Sequence, residues 1–66
     1  MKSLQYKVKE YREEMGMTQE ELAKKASVSR AIISGLESGS ITVTTTKTLV
    51  KIADALKKSV SDIFLP

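Results

Sequence analysis

The sequence predicts an all-α fold of five short helices, and three observations support this. Apolar residues recur at helical spacing along most of the chain, residues that favour helix N-termini stand before four of these apolar runs, and glycines follow two of them. Residues 41–46 are the exception, because they are rich in β-branched side chains and are compatible with either a short strand or an extended connection.

A glycine separates the first two helices. Leu4, Val8 and Tyr11 repeat at i, i+4 and i+7, which predicts an amphipathic first helix, and Gly16 supplies the left-handed residue that ends it. A T-x-x-E capping box at 18–21 then marks the start of the second helix, because its two side chains can each accept a backbone N–H of that turn. The inner face of this helix carries Leu22, Ala23 and Ala26.

The remaining helices begin at serine or threonine caps. Ser29 is a suitable N-cap for a third helix, which carries Ile33 and Leu36 on its inner face and ends at Gly39. A threonine near 45 caps a fourth helix with a run of apolar residues: Leu49, Val50, Ile52, Ala53 and Leu56. An S-x-x-D box formed by Ser59 and Asp62 opens a short fifth helix, whose apolar residues are Val60, Ile63 and Phe64.

Length and composition limit the architecture and the chemistry. A chain of 66 residues has room for one domain, so we expect residues 1–66 to form a single unit with a small core. The absence of cysteine and histidine excludes disulfides, thiolate zinc sites, cysteine nucleophiles and the commonest general base. The glutamate pairs at 13–14 and 20–21 are neighbours on helices and do not face each other. We therefore expect no enzyme, no metal site and no cofactor.

Charge and the N-terminal segment bear on partners and compartment. The net charge is +3 and the pI is about 9.3, a modest basic excess that is compatible with a polyanionic partner and equally with an ordinary protein surface. The N-terminus lacks the apolar run of a signal peptide, and no stretch approaches the ~20 apolar residues of a membrane span. Together with the absence of disulfides, this predicts a cytoplasmic protein with no membrane partner.

Residues 18–39 carry the most informative pattern. Two short helices joined by the turn at 27–29 can cross steeply and form a helix-turn-helix. Ala23 is small where the two backbones would approach most closely, and Val28 can fill the core beneath the turn. Because the apolar residues of the third helix would anchor it from behind, four residues are expected to face outward: Arg30, Ala31, Ser34 and Gly35.

Several short blocks, by their order and spacing, give a family resemblance. They are T-Q-E-E-L-A at 18–23, V-S-R at 28–30, L-E-S-G at 36–39, T-L-V-K-I-A-D-A-L at 48–56 and S-V-S-D-I-F at 59–64. With these blocks the chain resembles the Cro/repressor-type (XRE-family) helix-turn-helix DNA-binding proteins of phages and bacterial regulators, from Val8 to Phe64. The resemblance implies a compact, five-helix, lambda-repressor-like domain that binds double-stranded DNA with its third helix in the major groove.

The resemblance also implies roles for individual positions. Base edges are the implied partners of the four outward residues of the third helix. Backbone contacts are implied for Gln19, which also braces the recognition helix, and for a serine-rich set: Ser27, Ser29, Ile32, Ser38 and Ser40. Lys47, near the start of the fourth helix, is placed to contact a phosphate as well. For all of these the alternative is an ordinary surface residue, and for Ile32 it is core packing. Arg12 and Glu37 match an Arg–Glu pair that ties the first helix to the end of the third.

The four outward residues differ in what they can read. Arg30 can fork onto the O6 and N7 atoms of guanine, and Ala31 can touch a thymine methyl group. Ser34 can donate or accept a hydrogen bond. Gly35 departs from the family pattern, in which a long polar side chain is usual, so we expect Arg30 to carry most of the direct readout. Close approach of the helix backbone and recognition of DNA shape are the alternatives for Gly35.

Two function classes follow from the sequence. The first is a transcriptional regulator, a repressor that binds an operator as a homodimer with its recognition helices about 34 Å apart. Its candidate dimer interface is the C-terminal stretch Val60, Ile63, Phe64 and Leu65 with help from the fourth helix, the alternative being that Ile63 and Phe64 only close the core. The second class is an interaction module, since the family includes antitoxins that hold a toxin partner, although we find no added segment for such a grip.

Overall fold

The structure is a computed structural model that describes residues 6–40 and 45–64. Within these ranges the chain forms five α-helices, as predicted: α1 (Val8–Glu14), α2 (Gln19–Ala26), α3 (Arg30–Ser38), α4 (Thr46–Leu56) and α5 (Val60–Phe64). Three features of the sequence lie outside the described residues, namely Leu4, Leu65 and the first part, 41–44, of the β-branched stretch. In the ranges described, no helix is long and apolar enough to cross a membrane.

A single apolar core joins all five helices. α2 packs against both α3 and α4, while α5 packs against α4 and α1 packs against α3. Every helix contributes to the most deeply buried side chains, which are Val8, Leu22, Ile33, Ile52, Leu56 and Ile63. Ala23 and Ala26 of α2 and Ala53 of α4 are also buried, and such small side chains allow helices to approach closely. α2 therefore lies at the centre of the fold, where its position fixes that of α3.

The predicted caps set the starts of the helices. The Thr18 hydroxyl accepts the Glu21 backbone N–H at 3.1 Å and the Glu21 carboxylate accepts the Thr18 N–H at 2.8 Å, so the capping box is complete. Ser29 and Thr45 each accept the N–H of the third residue of their helix at 3.2 Å. The S-x-x-D box pairs reciprocally before α5. Each bond satisfies an N–H that helix geometry leaves without a partner.

Left-handed residues follow α1, α2, α3 and α4. Gly16 and Gly39 have φ of 71° and 87°, as predicted, and glycine adopts this region without steric cost. Ser27 and Lys57 adopt it too, with φ of 58° and 57°. Their Cβ atoms crowd the following carbonyl oxygen in that conformation. α2 and α4 therefore end at positions that the sequence fills with side chains less suited to the backbone than glycine.

The segment before α1 is fastened to α5. The Lys7 backbone N–H donates to the Ile63 carbonyl at 3.0 Å. The Tyr6 ring meets the Phe64 ring edge-on, with centroids 4.8 Å apart and planes at 72°, an arrangement that aromatic pairs favour. These contacts hold the shortest helix against the body of the domain.

Part of the predicted dimer surface is buried within the chain. Ile63 is 0% exposed and Phe64 is 6% exposed, because the short α5 turns both side chains inward onto α4 and the segment before α1. The expectation that these two residues meet a second copy is therefore wrong, and the alternative that they close the core is correct. Val60 is half-buried and Val50 of α4 is 41% exposed, so these valines keep apolar surface.

Candidate nucleic-acid interface

A three-residue turn joins α2 to α3. α2 ends at the left-handed Ser27, and the Val28 N–H donates to the Ala23 carbonyl at 3.0 Å, which folds the chain back over the end of the helix. Val28 is half-buried and packs against the core, as predicted. Ser29 then returns to extended backbone and caps α3. The predicted motif at 18–39 is thus present as two capped helices that pack against each other across this turn.

The first two turns of α3 have an inner and an outer side. Ile33 and Leu36 are 0% and 2% exposed and anchor the helix in the core. Arg30, Ala31 and Ser34 are exposed on the opposite side, where they line one shallow depression. The grouping follows from helical periodicity, because Ser34 lies four residues after Arg30 and three after Ala31, and residues at these spacings are neighbours on a helix surface. The helix therefore presents a guanidinium, a methyl group and a hydroxyl together.

Gly35 is not exposed with these residues, although at about 100° per residue it lies about 40° around the helix from Ala31. It is buried, so the expectation that it is accessible on the outer side is wrong. On its other side, about 60° away, is Ile32, which is half-buried against the core. A residue at this edge that has no side chain cannot extend past its neighbours and is covered by them. Its carbonyl accepts hydrogen bonds from the Gly39 N–H and the Ser38 hydroxyl.

The residues expected at the DNA backbone differ in exposure. Five of them are exposed: Ser27, Ser29, Ser38, Ser40 and Lys47. Gln19 and Ile32 are half-buried, and Ile32 packs against the core. Three hydroxyls already have local partners, because Ser29 caps α3 and the Ser38 hydroxyl donates to the Ser40 hydroxyl at 3.1 Å. The exposed serines thus stand at both ends of α3, with Lys47 in the first turn of α4.

Glu37 joins three helices through hydrogen bonds. Its Oε2 accepts from Arg12 Nε at 2.7 Å, and its Oε1 accepts from Arg12 Nη2 and from Gln19 Nε2, both at 3.0 Å. Arg12 Nη1 donates to the Met17 carbonyl at 2.6 Å. The Arg12 and Glu37 side chains are only 11% and 4% exposed. The expected pair is therefore present as a two-bond contact between α1 and α3, and Gln19 adds the start of α2 to it.

The charges of this cluster stabilise each other. Burial by itself would raise the pKa of Glu37, but the hydrogen bonds from Arg12 and Gln19 and the charge of Arg12 outweigh it and hold that pKa below its ordinary value. The hydrogen bond with Glu37 raises the pKa of Arg12. Both groups are therefore ionised at neutral pH, and the pair carries no net charge.

A groove opens between the first turns of α2 and α3. We call it the α2–α3 groove, and its lining residues are Arg12, Thr18, Gln19, Glu20 and Arg30. Arg30 also borders the depression on the outer side of α3, so the groove and the exposed side of α3 are continuous. From the sequence, Glu20 is only a member of a helix-surface pair. Its place beside Arg30 in the groove depends on how α2 and α3 pack, which residue spacing does not indicate.

Comparison with known proteins identifies related domains. The helix-turn-helix family model matches residues 8–63. The master regulator for biofilm formation SinR, in complex with DNA, is 35% identical with a TM-score of 0.79 over 82% of this chain and 86% of that chain. The N-terminal DNA-binding domain of SinR from Bacillus subtilis gives 35% identity and a TM-score of 0.78 over 82% and 78% of the two chains.

A second relative comes from a restriction-modification system. A mutant of the controller protein C.Esp1396I is 44% identical with a TM-score of 0.71, over 79% of this chain and 66% of that chain. The present chain thus spans about two thirds of the length of that controller protein. No curated protein sequence matches the chain.

Proposed function

Because the chain belongs to the helix-turn-helix family of XRE-type DNA-binding regulators, we propose that it binds double-stranded DNA sequence-specifically with α3 in the major groove. The observation that carries this proposal is the exposed set on α3, Arg30, Ala31 and Ser34, held outward by the buried Ile33 and Leu36. The N-terminal residues of a recognition helix are the ones that reach base edges.

Each exposed residue of α3 has a distinct proposed role. Arg30 forks onto guanine O6 and N7, a contact worth about 1–3 kcal/mol of discrimination. Ala31 packs on a thymine methyl group, and Ser34 donates to or accepts from a neighbouring base. Gly35 is buried and is left out of this set. Sequence discrimination therefore depends mainly on Arg30.

Backbone contacts orient the domain on the duplex. We assign them to the first turn of α2, through Gln19, to Lys47 of α4 and to the exposed serines around α3: Ser27, Ser29, Ser38 and Ser40. Contacts of this kind fix register without reading sequence. Their support is the exposure of five of these residues and the position of Gln19 at the edge of the α2–α3 groove.

We further propose that the protein is a repressor that acts as a homodimer. Two-fold symmetry would place the recognition helices one turn of B-DNA apart, about 34 Å. With Ile63 and Phe64 committed to the core, the dimer surface is proposed at Val60 of α5 and Val50 of α4, which keep apolar surface. SinR is described as a master regulator and C.Esp1396I as a controller protein, which supports a regulatory role.

Selection from a random duplex library tests the proposal. The purified protein is expected to enrich a motif with a guanine in each half-site and half-sites about 10 bp apart. Titration of the enriched duplex at increasing salt should give a log–log slope of about −0.9 per neutralised phosphate. Arg30→Ala serves as the comparison variant and should lose preference for the guanine. An affinity that stays flat between low and physiological salt would exclude DNA binding.

A further inference from the structure

The charged residues around the α2–α3 groove differ in whether their side chains already have a partner. Arg12 uses Nε, Nη1 and Nη2 in bonds to Glu37 and the Met17 carbonyl, and its charge is neutralised by the Glu37 carboxylate. Arg30 and Glu20 are exposed, and in the part of the chain that the structure describes neither forms a hydrogen bond or ion pair with its side chain. The free charges that face this groove are therefore one cation and one anion.

We propose that Glu20 is a specificity-determining residue that weakens binding to non-specific DNA. Its carboxylate shares the α2–α3 groove with Arg30 and opposes the attraction of Arg30 to a backbone phosphate. This inference rests on the proposed function, because it concerns the contribution of Arg30 when the domain docks on a duplex.

The two kinds of DNA differ in what Arg30 can gain. On a duplex without a guanine in place, the attraction of Arg30 to phosphates is the only benefit, and it does not depend on direction. A carboxylate at the same site repels those phosphates. On a duplex with the guanine, Arg30 forms two directed bonds to the base inside the major groove, so its charge no longer serves the backbone. The backbone contact proposed for Gln19 is made on both kinds of DNA, so the repulsion of that phosphate by Glu20 cancels when the two affinities are compared. Glu20 therefore penalises the wrong partner more than the right one, which is how repulsive elements produce specificity.

Elementary electrostatics sets the size of the effect. A carboxylate about 7 Å from a phosphate in water repels it with an energy equivalent to about a threefold change in a binding constant. Removing the Glu20 charge should therefore tighten binding to random duplex about threefold at low salt. If Arg30 then neutralises one more phosphate, the log–log salt slope becomes steeper by about 0.9.

Glu20→Gln and Glu10→Gln form a matched pair for the test. Both glutamates are exposed and lie in the first turn of a helix, so both changes remove one negative charge and one favourable helix-terminus contact. Glu10 lines a different groove, with Tyr6 and Lys7, beside the segment fastened to α5. The probes are a random-sequence 20-bp duplex and a duplex enriched by the wild-type protein, and thermal unfolding checks that both variants are folded.

We expect Glu20→Gln to tighten binding to the random duplex about threefold more than binding to the enriched duplex, and so to lose about threefold in the ratio of the two affinities. Glu10→Gln should leave both affinities close to wild type. In an Arg30→Ala background, Glu20→Gln should tighten binding to the random duplex no more than Glu10→Gln does, because Glu20 acts through Arg30 and the two residues are coupled.

Three results would overturn the inference while leaving the proposed function intact. Equal effects of Glu20→Gln and Glu10→Gln would reduce the role of Glu20 to overall net charge. A loss of affinity confined to the enriched duplex would make Glu20 a base-reading acceptor. An undiminished effect in the Arg30→Ala background would remove Arg30 from the explanation. Salt-independent binding by the wild type is a different outcome, because it refutes the proposed function itself.

Discussion

Removing the charge of Glu37 should destabilise the domain strongly. Glu37→Gln keeps the shape of the side chain but leaves Arg12, whose side chain is 11% exposed, with only the exposed Glu13 carboxylate at 4.0 Å as a counter-charge. Breaking a buried ion pair from one side costs about 3–5 kcal/mol. A domain of 66 residues has a total free energy of unfolding of about 3–10 kcal/mol at 0.05–0.15 kcal/mol per residue. The variant should therefore lose roughly half of its stability or more.

Urea unfolding followed by circular dichroism at neutral pH measures this loss. The control is the double variant Arg12→Met/Glu37→Met, because replacing both charges with apolar side chains of similar volume is often close to neutral. A loss below about 1 kcal/mol in Glu37→Gln would refute the reasoning, since that is the range of solvent-exposed pairs. An equal loss in the double variant would also refute it, because the cost would then come from packing.

The same pair predicts an acid limit to stability. The pKa of Glu37 is lower in the folded protein than its ordinary value, so the folded state favours the ionised form and binds fewer protons than the unfolded chain. Its stabilising contribution is present above the ordinary glutamate pKa of about 4.3 and is lost as the pH falls through the lower folded value. The double variant, which lacks the carboxylate, should show a smaller decrease in unfolding midpoint across that window.

Other changes test single features of the fold and the site. Lys57→Gly should raise the free energy of unfolding by about 0.5–1 kcal/mol, because Lys57 has φ of 57°, a left-handed conformation that glycine adopts without strain. An unchanged or lower melting temperature in calorimetry would contradict this. Thr18→Ala should cost about 1 kcal/mol through loss of the capping box. Ile63→Ala should cost about 2–5 kcal/mol at every protein concentration, whereas a role at a dimer interface would make the loss concentration-dependent. Arg30→Ala should remove about 1–3 kcal/mol of base discrimination in binding assays and leave the melting temperature unchanged, because the side chain is exposed.

Local signals made the helices predictable. The caps at Thr18, Ser29 and Thr45 act over three residues, and their hydrogen bonds are the ones that the residue types predict. The buried face of α2 follows from its periodicity in the same way. Features of this kind depend on residues only a few positions apart, so they can be predicted from the sequence alone.

The errors occur where exposure depends on the surroundings of a residue and not on its position along the helix. Gly35 has no side chain, so its exposure depends on the groups around it, and it is buried although its spacing from Ala31 predicts the outer side. Ile63 and Phe64 were compatible with a core or with an interface, and the packing of α5 on α4 settles the matter. The position of Glu20 beside Arg30 likewise depends on how α2 and α3 cross.

Glu37 also decides which atoms Gln19 presents to its surroundings. A side-chain amide has one carbonyl acceptor and two N–H donors, and the bond from Gln19 Nε2 to Glu37 commits one of those donors inward. The ionised Glu37 only accepts, so turning the amide around would place two acceptors against each other. One N–H and the carbonyl oxygen are left for a partner, and a phosphate can accept only the N–H. Gln19 can therefore give at most one hydrogen bond to the DNA backbone, which leaves the balance between Arg30 and Glu20 as the larger electrostatic influence in the α2–α3 groove.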